Sequence, residues 1–95
     1  MNYLLDGKKV VEVPDILDWA KGFEKMDRVV AKTKNDKVRV STVFLGVDHS
    51  FRDEGPPLLF ETMIFCGEHD GYQERYETWD EAAIGHVKAC KLAGV

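Results

Sequence analysis

"PPLLFETMIF", residues 56–65, is the stretch on which the fold turns. Two prolines open it, and an apolar run of strand length follows. Side chains alternate along a strand, so Glu61 shares one face with Leu59, Met63 and Phe65, and Thr62 shares the other with Leu58, Phe60 and Ile64. Both faces are mostly apolar. The strand is therefore expected to be central and covered on both sides, by a helix on one face and by a loop or a partner subunit on the other. An ionised, unpaired carboxylate in such a place would be costly. Glu61 is expected to have a partner, a raised pKa or a water-filled pocket, and by residue type the candidates are Arg75, Arg39, His49 and His86. The alternatives are a structural ion pair or a solvent-facing strand end, a ligand or metal contact, and a catalytic carboxylate.

Upstream, "RVVAKTKNDKVRVSTVFLGV" (28–47) reads as two strands around a turn at Asn35-Asp36. The second is long and β-branched, with Val38, Val40, Thr42 and Phe44 on one face and Arg39, Ser41, Val43 and Leu45 on the other. "DHSFRDEGPP" (48–57) is a polar loop. Downstream, "GEHDG" (67–71) turns the chain and "YQERYE" (72–77) returns as a strand. Nearer the N-terminus, "YLLDGKKVVEV" (3–13) reads as a hairpin, with Asp6-Gly7 as the tight turn. "PDILDWAKGFEKM" (14–26) reads as a helix capped by Asp15, with Asp18 in its first turn. Ile16, Trp19, Ala20, Phe23 and Met26 share one face of it, and Gly22 lies off that face.

"TWDEAAIGHVKACKLAGV" (78–95) is a second helix with a capping box, Thr78 and Glu81. At 3.6 residues per turn, Trp79, Ala83, His86, Cys90 and Ala93 fall on one side, which puts His86 near the middle of the buried stripe. The order is approximately ββαββββα. It predicts one small α+β domain over residues 1–95, an antiparallel sheet with two helices packed mainly on one face.

The bulk numbers agree with a globular chain of modest core: 95 residues, 44% hydrophobic and 32% charged. No apolar run approaches the roughly 20 residues of a membrane helix, and charges break the N-terminal stretch too early for a signal peptide. A cytoplasmic protein, kept in a reducing compartment, is expected, with no membrane association. A net charge of −4 argues against non-specific nucleic-acid binding, which needs a surplus of lysine and arginine. Cys66 and Cys90 lie far apart without CxxC spacing and are expected as buried thiols.

Several residues carry polar chemistry. Asp48-His49 follows the long strand, where it reads as an oriented acid–base pair, a metal ligand pair or a loop cap with an exposed histidine. Arg75, Tyr76 and Trp79 cluster where the last strand meets the last helix. A guanidinium, aromatic rings and a helix N-terminus can seat a phosphate or a nucleobase, although Asp80 and Glu81 oppose an anion there. The bland reading has Trp79 in the core and Arg75 paired with Glu61 or Glu77. His86 reads as a satisfied core histidine or as a ligand, and His69 as solvated. No pair has HExxH or HxH spacing, no glycine-rich phosphate loop is present, and neither Ser41 nor Ser50 has a GxSxG context.

The strings "VSTVFLGVDHSF", "GPPLLFETMIF" and "RYETWDEAAIGH" together resemble a group of small proteins encoded in bacteriophage and prophage genomes. The resemblance covers residues 40–86. It implies a glycine in the relatives where this chain has Cys66, a small accessory phage protein as the biological setting, and no catalytic assignment. In that setting two kinds of function are expected. In the first, a homo-oligomer sequesters a nucleotide-like signalling molecule as a counter-defence device. Arg75 would meet a phosphate and Tyr76 or Trp79 a base, and Asp48, His49, Glu61 and His86 would take the polar edges. In the second, the chain is a protein–protein interaction module that inhibits a host protein through an exposed apolar face. A small metal-dependent hydrolase using Asp48, His49, Glu61 and His86 is the third reading. No cofactor is expected.

Overall fold

The computed structural model describes residues 1–48 and 55–95. Its elements run β1 (Tyr3–Asp6), β2 (Lys9–Glu12), α1 (Ile16–Lys25), β3 (Val29–Lys34), β4 (Arg39–Phe44), β5 (Phe60–Phe65), β6 (Gln73–Tyr76) and α2 (Trp79–Ala93). That is the expected ββαββββα order, an α+β fold. β1 and β2 form a two-stranded antiparallel hairpin. The other four strands make an antiparallel sheet in the order β3-β4-β5-β6.

β5 is internal to this sheet, as its apolar composition requires. Thr42 lies opposite Thr62, Val40 opposite Ile64 and Phe44 opposite Phe60. These six side chains form the inner face and are fully buried. α2 lies across that face and buries Ala82, Gly85, His86 and Ala89. Such small residues let the helix backbone come down close to the sheet. At Gly85 the approach is closest, because the Tyr76 ring, reaching over from the edge strand β6, occupies the space that a Cβ would take. Thr78 caps α2 and Gly94, at a φ of 81°, closes it.

The other sheet face carries Glu61, Met63 and Phe65 as expected, but not Leu59, which is buried in the inner core with Phe44 and Phe60. Ser41, Val43, Glu61, Met63 and Phe65 point away from α2 and are only half-buried. Among the described residues no helix or strand lies over them. The strand is central, and the described residues cover it on the α2 side.

α1 stands on the same side of the sheet as α2, at its end, where it packs on the hairpin. Asp15 caps it, accepting from the amides of Leu17 (2.9 Å) and Asp18 (3.1 Å). Trp19 Nε1 donates to the Tyr3 carbonyl (2.8 Å), and the Trp19 and Phe23 rings stack at 4.9 Å. Phe23 in turn lies on Gly46, whose φ of 81° and missing Cβ the contact requires. The packed face is rotated from the one read off the sequence. Gly22 belongs to it, set against the Leu4 side chain, whereas Ile16 and Ala20 are exposed. α2 is rotated in the same way, burying Ala82 rather than Ala83. The hairpin turn is Gly7-Lys8, one residue later than expected, because Asp6 pairs with Lys9 as the last strand pair.

Candidate functional site

The seven residues nominated by the sequence divide between the two faces of the sheet. On the outer face, Glu61 and Arg75 are direct cross-strand neighbours. Arg75 Nε donates to Glu61 Oε2 at 2.9 Å, with side-chain exposures of 30% and 12%. Gln73, two residues along β6, makes a short contact from its amide nitrogen to the same oxygen. The carboxylate has the partner its place demands, and of the four candidates it is Arg75. Beside the pair lies a shallow depression of about 150 Å³ lined by Ser41, Val43, Glu61, Met63 and Phe65. At its far end the Arg39 guanidinium stacks over the Phe65 ring at 4.4 Å.

On the inner face, His86 projects from α2 onto the sheet with both ring nitrogens occupied. Nε2 shares a hydrogen bond with Thr33 Oγ1 (2.9 Å), and Nδ1 shares one with Thr42 Oγ1 (2.7 Å). Thr42 is bonded onward to Thr62 at 2.5 Å. A neutral imidazole offers one donor and one acceptor, and threonine hydroxyls can meet either, so the tautomer and the hydroxyl directions are set together. Burial pushes the His86 pKa below its ordinary value, so the group is held neutral. This is the satisfied core histidine. The signal for its partners was in the sequence: Thr42 and Thr62 each interrupt an otherwise apolar strand face.

Tyr76 and Trp79 are also inner-face residues. Trp79 meets Phe60 edge-on, with ring centroids 6.3 Å apart at 83°. The Tyr76 hydroxyl is buried and forms no hydrogen bond of good geometry. Desolvation raises its pKa, an effect that the neighbouring Thr62 hydroxyl offsets only in part. Arg75 therefore points to one side of the sheet and Tyr76 and Trp79 to the other, and they do not converge on a phosphate or a base. The start of α2 is already served by its own side chains: the Thr78 hydroxyl accepts from the Glu81 amide (3.2 Å) and donates to the Glu81 carboxylate (3.1 Å).

Asp48 Oδ1 accepts from the Leu58 amide (3.1 Å), which ties the two ends of the polar loop together. His49 lies outside the described residues. Glu61 and His86 are on opposite faces of the sheet and do not meet. Among the described residues no three histidine, cysteine, aspartate or glutamate side chains gather as a metal site. Cys66 is exposed rather than buried, and Cys90 is half-buried; both are free thiols. His69 is half-buried rather than solvated.

Two of the further concavities among the described residues lie at the rims beside α2. One of about 360 Å³ runs between β6 and α2, past Tyr72, Glu74, Glu81, Ile84 and Lys88. Its two carboxylates outnumber its lysine, which disfavours an anion. The other, about 420 Å³, lies beside the end of α2 near Asn35, Lys37, Cys66 and His69.

No family model, curated protein or solved structure matches the chain. The resemblance to phage-encoded proteins rests on the quoted strings alone. No helix among the described residues is long and apolar enough to cross a membrane.

Proposed function

We propose that this chain is an interaction module that docks a protein partner on the outer face of its four-stranded sheet. One observation carries the reading: β4 and β5 present Val43, Met63 and Phe65 around a shallow depression with nothing described lying over them. A sheet face of that composition is normally closed by a second layer. Here the second layer would come from the partner. The ion-paired Glu61 and Arg75 give the patch a polar margin, as in docking surfaces generally. In the setting that the phage resemblance implies, the partner is a host protein whose activity the module blocks. Nucleotide sequestration has less support, because the residues it needs are split between two faces and His86 is already saturated by threonines.

The test is site-directed photocrosslinking inside producing bacterial cells. A photoreactive side chain at Ser41, on the outer face, is expected to give a protein adduct of defined mass. The same group at Lys88, on the exposed side of α2, is expected to give none. No adduct at Ser41, or the same adducts from both positions, would refute the reading.

A further inference from the structure

We infer that the outer face takes an acidic amphipathic helix, and not a second copy of this chain. The inference rests on the docking reading above and specifies the chemistry of the partner.

The edges of the sheet are poor docking sites. β3 carries a register shift between Val29 and Ala31 and bears Lys32 and Lys34, and β6 is four residues long with Glu74 and Arg75 on it. Bulges, short edges and edge charges all oppose strand addition. A partner is thus directed to the face, and a face is covered by a helix or by another sheet.

The charge on that face selects between them. Register places Lys34 beside Arg39 and Arg39 beside Phe65, and in the next row Lys32 beside Ser41 and Ser41 beside Met63. Lys32, Lys34, Arg39 and Arg75 therefore point outward with Glu61 as the one carboxylate among the described outward-facing strand residues. This is a cationic face on a chain whose net charge is −4, so the rest of the molecule is more acidic still. Two such faces stacked on each other would set like charges together across the join, which disfavours a homodimer through this surface. A single-stranded nucleic acid would need a platform of stacking rings. Among the described residues the face offers Phe65 alone, and Arg39 already lies over it. An acidic helix meets every feature. Its apolar stripe would fill the depression over Val43 and Met63, and its carboxylates would reach Lys32, Lys34 and Arg39. A guanidinium stacked on a ring keeps its N–H fork for a carboxylate.

The experiment is an amide-shift titration of the ¹⁵N-labelled protein with defined probes. These are an 18-residue amphipathic peptide of glutamate, leucine and alanine, the same peptide with lysine for glutamate, and oligothymidylate, with sedimentation velocity reporting self-association. The acidic peptide is expected to shift the amides of Ser41, Val43, Met63 and Phe65, with affinity falling as salt rises. In the double variant Lys34→Glu, Arg39→Glu, with an otherwise unchanged spectrum, the affinity is expected to drop at least about tenfold. Binding of the basic peptide, of oligothymidylate or of a second copy at those amides overturns the acidic-helix inference and leaves the docking reading standing. The inference also fails if the acidic peptide moves none of those amides or binds the double variant equally well; the Ser41 crosslink then judges the docking surface by itself.

Discussion

Gly85→Ala isolates the contact that fixes the last strand to the last helix. An alanine Cβ at this position would fall on the Tyr76 ring, with the hydroxyl oxygen, Cζ and Cε1 all far inside van der Waals contact. Two effects compete. Alanine for glycine in a helix interior is worth about 1 kcal/mol of stability. Forcing a methyl group into a packed site costs about 1–3 kcal/mol. The steric term should prevail, because Tyr76 has little room to yield. Its hydroxyl is buried, its carbonyl accepts the Leu59 amide at 2.9 Å, and it pairs with Phe60 at the sheet edge. A net loss of up to about 2 kcal/mol is expected, which for a domain of this size lowers Tm by up to roughly 15 °C. Thermal and guanidinium unfolding followed by circular dichroism would measure it. The same substitution in a Tyr76→Leu background, where no ring reaches the helix, should change sign and stabilise by up to about 1 kcal/mol. An equal penalty in both backgrounds, or a Tm for Gly85→Ala at or above the parent's, would refute the account of this contact.

Two further outcomes follow from groups described above. Burial lowers the His86 pKa in the folded chain, so the unfolded chain binds the proton first. Its contribution is complete above the unfolded value of about 6.5 and is lost as pH falls through it, at no more than about 1.4 kcal/mol per pH unit, levelling off below the folded pKa. The stability gap between the parent and His86→Gln should accordingly narrow from pH 7.5 to 5.5 in denaturant titrations; a constant gap would contradict the buried neutral imidazole. Cys66 is exposed with a φ of 71°, in the left-handed region. Cys66→Gly relieves about 1–2 kcal/mol of backbone cost against about 0.5–1 kcal/mol of added unfolded-state entropy. Tm should rise by a few degrees, and a fall would show that the cysteine side chain contributes more than its exposure implies.

Local patterning carried most of the fold. Alternation assigned the inner and outer faces correctly within β4 and β5, but it failed just before β5, where Leu59, read onto the Glu61 face, is buried with Phe44 and Phe60; Asp15 and Thr78 marked both helix starts. Where sequence reasoning slipped on the helix faces, the reason was a glycine used for close approach. Gly22 and Gly85 were unremarkable as helix residues, yet each admits a neighbouring side chain, and that contact sets the helix rotation. The alternation also showed that Glu61 and Thr62 face opposite ways, but not which element covers each face. For that reason His86 and Glu61 were grouped as one site, although the sheet separates them. Arg75 was found because cross-strand pairing is local. The nucleotide seat was overdrawn because adjacency of Arg75 and Tyr76 in sequence means opposition in a strand.

The hairpin and α1 also set how the molecule opens. α1 buries no residue completely, and the hairpin is fastened to the sheet chiefly by the Asn2–Val47 bridge and the bond from the Tyr3 amide to the Gly46 carbonyl. Yet Tyr3, Leu5, Val10, Phe23 and Met26 are the cover over Phe44, Leu59 and Phe60. Release of this N-terminal flap would leave the four-stranded sheet and α2 intact while baring an aromatic cluster to solvent. Such partial opening lies below global unfolding in free energy, and a bared apolar cluster is what drives aggregation. The shelf life of this protein at high concentration would then be governed by the first 27 residues, although the sheet and α2 supply most of its buried core.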